Sequence, residues 1–277
     1  MKVSITSQVS LLQLVLICYY LPSILVVSSY SIGKQHERTN VILYHKPADV
    51  VTTHAVNDVL GRKNVFQDIS TYQGYIRYDN SIDKRRLNDK NLFLNLHAVG
   101  RLDADTTGLL LLTNDGGLVH HVTNKEAASH RDNNLEPVSK TYEALIMGHH
   151  TQESSILEPI HTTGVDIGKK YGGLCQPVKE FTILDHPTST TTLISLTLIE
   201  GKNRQVRRMF HAVGSGVMKL KRTRIGSDLT LNFIEEPGQW RFLSDAEIKT
   251  CLNWDINYDL IAKRNGEKEH QRRRRKR

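Results

Sequence analysis

The sequence predicts an α+β fold, on three observations. Short apolar or β-branched runs bounded by turn residues, Val41–Tyr44, Leu109–Leu112 and Thr192–Ile199, read as strands. Val206, Met209, Phe210 and Val213 recur at helical spacing directly after Gly201-Lys202-Asn203 punctuates a strand end. The chain has 277 residues with 39% hydrophobic content, enough for one large domain or two lobes.

The N-terminus reads as a separate leader. No charged residue occurs from Val3 to Gly33, Lys2 precedes an apolar stretch from Leu11 to Val27, and Val27-Ser28-Ser29 supplies small residues suited to cleavage. Residues 1–29 therefore look like a secretory-type signal peptide, with 30–40 as a linker. Pro22 and the modest length argue against a stable membrane span, an uncleaved anchor being the alternative.

After the linker, Val41–Tyr44 delivers Lys46-Pro47, and Asn64–Ile69 starts a short helix. Thr71–Leu96 is polar, with Tyr72, Tyr75 and Tyr78 interleaved with Arg77, Lys84, Arg85 and Arg86. It reads as a solvated insertion in preference to an RNA-contacting loop, although aromatics stack on bases and cations meet phosphates. Leu109–Leu112 does not alternate, so its strand is buried on both faces. Asp103 hangs at the edge of that rigid element, in the loop Gly100-Arg101-Leu102-Asp103-Ala104-Asp105-Thr106-Thr107-Gly108. A plain turn built on Asp103 and Asp105 is an equally good reading on spacing alone. A calcium loop fails because Thr107 and Asn114 stand where a carboxylate or amide and a glutamate are needed. An aspartic protease fails for want of a second copy.

Glu126–Pro137 is a second polar connection. Thr192–Ile199 then leads through Glu200 into a helix that begins with Arg207 and Arg208. Most helix arginines are simply solvated, but Lys219, Lys221, Arg222 and Arg224 follow closely. Such a basic stretch is the footprint of a phosphate-backbone partner. Residues 41–250 are expected to form the catalytic domain and 251–277 a basic, disordered tail. Lys263–Arg277 holds nine basic residues against Glu267 and Glu269, so most of the chain's formal charge of +8 sits there. Run-like charge of this kind self-repels and attracts RNA, or serves nuclear import.

Cys18, Cys175 and Cys251 form no CxxC pair, which suggests neither a zinc site nor a disulfide framework. His120-His121 and His149-His150 lack metal spacing and a carboxylate companion, and read as loop or helix-end residues. No glycine-rich phosphate loop appears, so neither a metal nor a cofactor is expected.

Four blocks in order carry a family resemblance: Lys46-Pro47-Ala48-Asp49-Val50-Val51-Thr52-Thr53, the Gly100–Gly116 run, Lys140-Thr141-Tyr142-Glu143-Ala144, and Glu200–Gly226. Together they resemble a pseudouridine synthase of the branch that modifies ribosomal RNA, the RsuA/RluB/RluE/RluF type. The second and fourth blocks are long and specific. The resemblance implies a mixed, mainly antiparallel sheet with flanking helices and a central catalytic cleft between two lobes. It also implies a monomer acting on RNA, most simply ribosomal RNA, without a cofactor. Between leader and Lys46 there is no room for the small RNA-binding module many relatives carry, so the chain resembles members lacking it.

The implied reaction breaks the uridine C1′–N1 bond and makes C1′–C5, with no redox step. Asp103 matches the family's catalytic aspartate, Arg207 the arginine that keeps it ionised, and Tyr142 the tyrosine that stacks on a flipped-out base. Val206 matches an apolar wall, Arg101 a loop or RNA contact, and Lys46, Arg204 and Arg208 further substrate contacts. A catalytically inactive RNA-binding or ribosome-assembly factor on the same fold is the runner-up; joint retention of Asp103, Tyr142 and Arg207 favours the enzyme. A basic membrane-associated protein would leave the aspartate block unexplained. A signal peptide suits a two-part organellar address, plastid in preference to mitochondrion because no arginine precedes Arg38, with cytosol or nucleus as alternatives.

Overall fold

The structure is a computed structural model that describes residues 39–53, 58–71, 73–77, 86–87, 92–93, 95–124 and 137–256. The leader, the greater part of the linker, Tyr72, Tyr78, Lys84, Arg85 and the basic run after residue 256 lie outside the described residues.

The fold is α+β, built on a nine-stranded mixed sheet. In chain order the elements are β1 (Val41–Lys46), α1 (Val65–Ser70), β2 (His97–Ala98), β3 (Thr106–Thr113), α2 (Gly116–Thr123), β4 (Lys140–Met147), α3 (Glu158–His161), β5 (Val165–Asp166) and β6 (Leu174–Cys175). They continue as β7 (Glu180–Thr188), β8 (Thr191–Leu198), α4 (Gln205–Ala212), β9 (Val217–Ile225), β10 (Leu229–Thr230), β11 (Trp240–Phe242) and α5 (Asp245–Leu252). The main sheet runs β11-β1-β3-β9-β4-β8-β7, with β2 added to β3 and β10 to β9. Every pairing is antiparallel except β3 with β9. β5 and β6 form a separate two-stranded hairpin.

The parallel seam is only three residues long, Thr106–Gly108 beside Leu220–Arg222. It divides the sheet into two lobes with separate cores. β1 and β3 are covered on both faces, which is why their leucines and isoleucines do not alternate. One face packs on α5 and Trp254, the other on α1, Leu96 and Trp240. In the second lobe Val206, Met209 and Phe210 of α4 pack against Ala144, Ile194, Leu196 and Leu220. Tyr142 is partly buried against both lobes' cores.

Two expected boundaries change. The tail was placed from residue 251, yet Leu252 is fully buried and Trp254 almost so, and both belong to the first core. The domain therefore continues past 250; six scattered residues carry no periodicity from which to read a packed end. The 71–96 segment is no solvated insertion where it is described. Tyr75 stacks on Trp240 at 4.9 Å, and Leu92 and Leu96 are buried. Arg86 is buried too, donating to the Leu243 carbonyl at 3.0 Å and lying over Phe242. Its aliphatic stem and flat guanidinium serve as core material, a use that polarity scales do not register.

Gly108 holds the seam together. Its φ of +103° is open to glycine, and a Cβ there would lie 2.1 Å from the Arg222 carbonyl oxygen. Gly108→Ala is expected to destabilise the protein by more than about 3 kcal/mol or prevent soluble expression. Gly116→Ala, facing open space, should be near neutral in the same thermal unfolding measurement.

Candidate active site

The first sequence block is the cradle of the second. Lys46 ends β1 opposite Gly108 and is completely buried. Its Nζ donates to the carbonyls of Pro47 at 2.8 Å, Ala104 at 3.1 Å and Thr106 at 2.9 Å. Three acceptors use all three donors of an ammonium. The Asp49 amide donates to the Ala104 carbonyl, and the Thr52 hydroxyl donates to the Leu102 carbonyl at 2.7 Å. Thr106 N–H closes a turn onto the Asp103 carbonyl at 3.0 Å. The backbone on both sides of Asp103 is thus fixed by side chains from residues 46–52, while its carboxylate stays partly exposed.

Lys46 is accordingly not a substrate contact, as the motif match had it. Because β1 is buried along its whole length, its last residue is buried as well. Burial pushes the Lys46 ammonium down to about 8, against the opposing pull of Asp105, Asp49 and Asp103. Between that value and the ordinary 10.5, the unfolded chain holds a proton the folded chain has released. Stability from this group therefore grows as pH rises through that window.

The loop before α4 supplies the opposite wall. Glu200 is buried and accepts from Gln205 Nε2 at 2.6 Å and from the Gln176 amide at 3.0 Å, while Gln205 Oε1 accepts from the Lys202 amide. Locked between these bonds, Arg204 takes a left-handed φ of 51°, a strained backbone that persists only when its surroundings impose it. Arg204 Nη1 lies 3.1 Å from Asp103 Oδ2, and Arg207 Nη2 lies 3.0 Å from Asp105 Oδ2. Arg207 Nη1 also donates to the Val217 carbonyl at 2.8 Å. The partner of Asp103 is thus Arg204 in place of the expected Arg207. Arginines three apart on a helix start share a face, as do acids two apart in an extended loop, so the two pairs form side by side.

Asp103, Thr106, Tyr142, Arg101, Arg204, Val206 and Leu220 line one cleft of about 390 Å³. The structure therefore brings together Asp103, Tyr142, Arg101, Arg204 and Val206 of the expected set. Val206 is also a buried core residue, and Arg101 is exposed at the cleft. Arg207 and Arg208 line a neighbouring cavity instead.

Arg222, expected among the phosphate contacts, is buried behind Tyr142. Its Nε donates to the Leu109 carbonyl at 2.6 Å, and its guanidinium carbon lies 5.9 Å from the Tyr142 ring centre. Strand periodicity could have found it: positions 220 and 222 share a face, and Leu220 must be buried. Arg224 is spent on Glu180 at 3.0 Å. Among the described residues no cluster of His, Cys, Asp and Glu could hold a metal ion, and no helix is long and apolar enough to cross a membrane.

A family model described as RNA pseudouridylate synthase matches residues 40–212. The ribosomal small subunit pseudouridine synthase A of Yersinia pestis is 34% identical over 164 residues, covering 58% of this chain and 60% of that protein. Its namesake in Escherichia coli K12 is 33% identical over 169 residues, covering 59% and 62%. The chain thus spans under two thirds of these relatives. A crystal structure of a pseudouridylate synthase superposes with a TM-score of 0.56 at 25% identity, covering 78% of this chain and 75% of that one.

Lys46→Met is expected to orphan three loop carbonyls, at a cost of about 2 kcal/mol or more. Turnover should fall through kcat more than through KM, because the loop loses its geometry while the cleft walls remain. A denaturant melt with steady-state kinetics checks both; unchanged kcat in a folded variant would contradict the clamp.

Proposed function

We propose that this chain, which belongs to the RNA pseudouridylate synthase family, converts a uridine of ribosomal RNA to pseudouridine, with Asp103 as its catalytic carboxylate. The observation that carries this reading is Asp103 held at the wall of a cleft it shares with Tyr142, its charge paired to Arg204 at 3.1 Å. The relatives named for the ribosomal small subunit point to that subunit's RNA as substrate.

The chemistry follows from the lining. A stacked uridine cannot reach a carboxylate recessed in a cleft, so the nucleotide is extruded, at a cost of a few kcal/mol. The Tyr142 ring offers a stacking face for the base, and Val206 and Leu220 form an apolar wall that excludes water from the sugar. Arg204 holds the Asp103 carboxylate charged and aimed, ready to act as nucleophile or charge stabiliser while C1′–N1 breaks and C1′–C5 forms. The proton displaced from C5 is lost to solvent. Delivery to an organelle, with plastid favoured, rests on the leader of residues 1–29.

Asp103→Asn is nearly isosteric and removes only the charge. It should abolish tritium release from 5-tritiated uridine in small-subunit ribosomal RNA, with RNA binding and melting temperature retained. Substantial release by this variant would remove Asp103 from the mechanism.

Arg204→Ala should lower kcat more than Arg207→Ala. An exposed ion pair is worth about 1 kcal/mol at most, so the expected loss from Arg204→Ala is roughly five- to tenfold. The reverse order would return the pairing of Asp103 to Arg207 in the working enzyme.

A further inference from the structure

A second cavity of about 370 Å³ adjoins the catalytic cleft, and Arg204 lines both. Its other walls are Arg207, Arg208 and His211 of α4, with Asp166 and Tyr171 of the β5–β6 hairpin. The hairpin base is core material, with Val165, Ile167 and Cys175 buried. Its tip is a 3₁₀ turn, Lys169–Tyr171, whose lysines are exposed.

Two contacts hold this hairpin against the catalytic loop. The Lys202 ammonium donates to the carbonyls of Gly172 and Leu174. The Arg208 guanidinium lies flat over the Tyr171 ring, 3.2 Å from its centre, steered there by bonds from Nε to the Asn203 carbonyl at 3.0 Å and from Nη2 to Asn203 Oδ1 at 3.3 Å. Lys170 approaches the same ring at 5.6 Å. A cation laid on an aromatic face beside a cavity is a platform for a phosphodiester.

The cavity on the opposite side of the Glu200–Arg204 loop has the wrong charge for that task. It carries the buried Glu200 carboxylate, and its lysine, Lys202, is spent on the hairpin carbonyls. Electrostatics therefore directs an RNA strand leaving the catalytic cleft towards Tyr171.

We propose that this second cavity seats the phosphodiester of a nucleotide flanking the target uridine, with Arg208 as the backbone contact and Tyr171 as its platform. The assignment rests on the reading of the chain as an RNA-modifying enzyme, and adds a residue pair that sets affinity apart from chemistry.

The test measures wild type, R208Q, Y171A and a charge control, K249Q on α5, against a small-subunit ribosomal RNA transcript carrying 5-tritiated uridine. Binding is followed across a salt series, and turnover at saturating RNA. R208Q should weaken binding about tenfold and lower the slope of log affinity against log salt by about 1, the signature of one lost phosphate contact. Y171A should weaken binding with a smaller change of slope, both variants should retain kcat, and K249Q should match wild type. An R208Q slope equal to wild type overturns the proposal even if affinity falls, because lost hairpin support does not change the number of phosphates neutralised. A collapse of kcat with unchanged affinity also overturns it. Absence of tritium release by wild type would sink the isomerase reading alone, since the salt slopes still decide whether Arg208 meets phosphate.

Discussion

The site depends first on one buried cation. Lys46 brings an ammonium into a dry position between β1 and the loop that carries Asp103, and three carbonyls converge on it. Burying a charge is costly unless it is hydrogen-bonded, and here all the bonding capacity comes from the segments that must be held. The loop cannot drift without stripping the ammonium of acceptors, and β1 cannot slip register without withdrawing it. Asp49 and Thr52, from the same short segment, add the remaining ties.

A second constraint is the short parallel seam between β3 and β9. Antiparallel pairing on either side builds two half-sheets with their own cores, and the seam joins them over three residues. The loop entering β3 and the loop entering α4 both open at this junction. That is why an aspartate from one lobe faces an arginine from the other, and why Tyr142, which touches both cores, lines the cleft between them. The glycine at position 108 is the local requirement for so close an approach of the backbones.

α4 serves two cavities at once. Its inward side, Val206, Met209 and Phe210, fixes it to the second lobe. The arginines at its start divide the outward work: Arg204 and Arg207 pair with Asp103 and Asp105, whereas Arg208 turns to Tyr171. Successive helix positions point about 100° apart, so a run of arginines that looks uniform in sequence is distributed among three different partners.

The sequence by itself determined a good deal of this. Unbroken apolar runs identified β1 and β3 as strands covered on both faces, alternation identified β8, and helical spacing identified the buried side of α4. Four ordered blocks pointed to the family, and placed Asp103, Tyr142, Arg101, Arg204 and Val206 among the site residues that the cleft does bring together. Tertiary structure alone decided the fate of individual charges. Lys46, Arg86 and Arg222 read as cations available to RNA, yet all are buried, because a long side chain's destination depends on the acceptors and rings that other segments bring to it. The partner of Asp103 was equally undecidable: Arg204 and Arg207 have the same chemistry, and only the left-handed backbone at 204 and the register of the loop against α4 assign one acid to each. Likewise the closing residues through Trp254 belong to the core because β1 and α2 leave room for them, a fact of packing that no local pattern encodes.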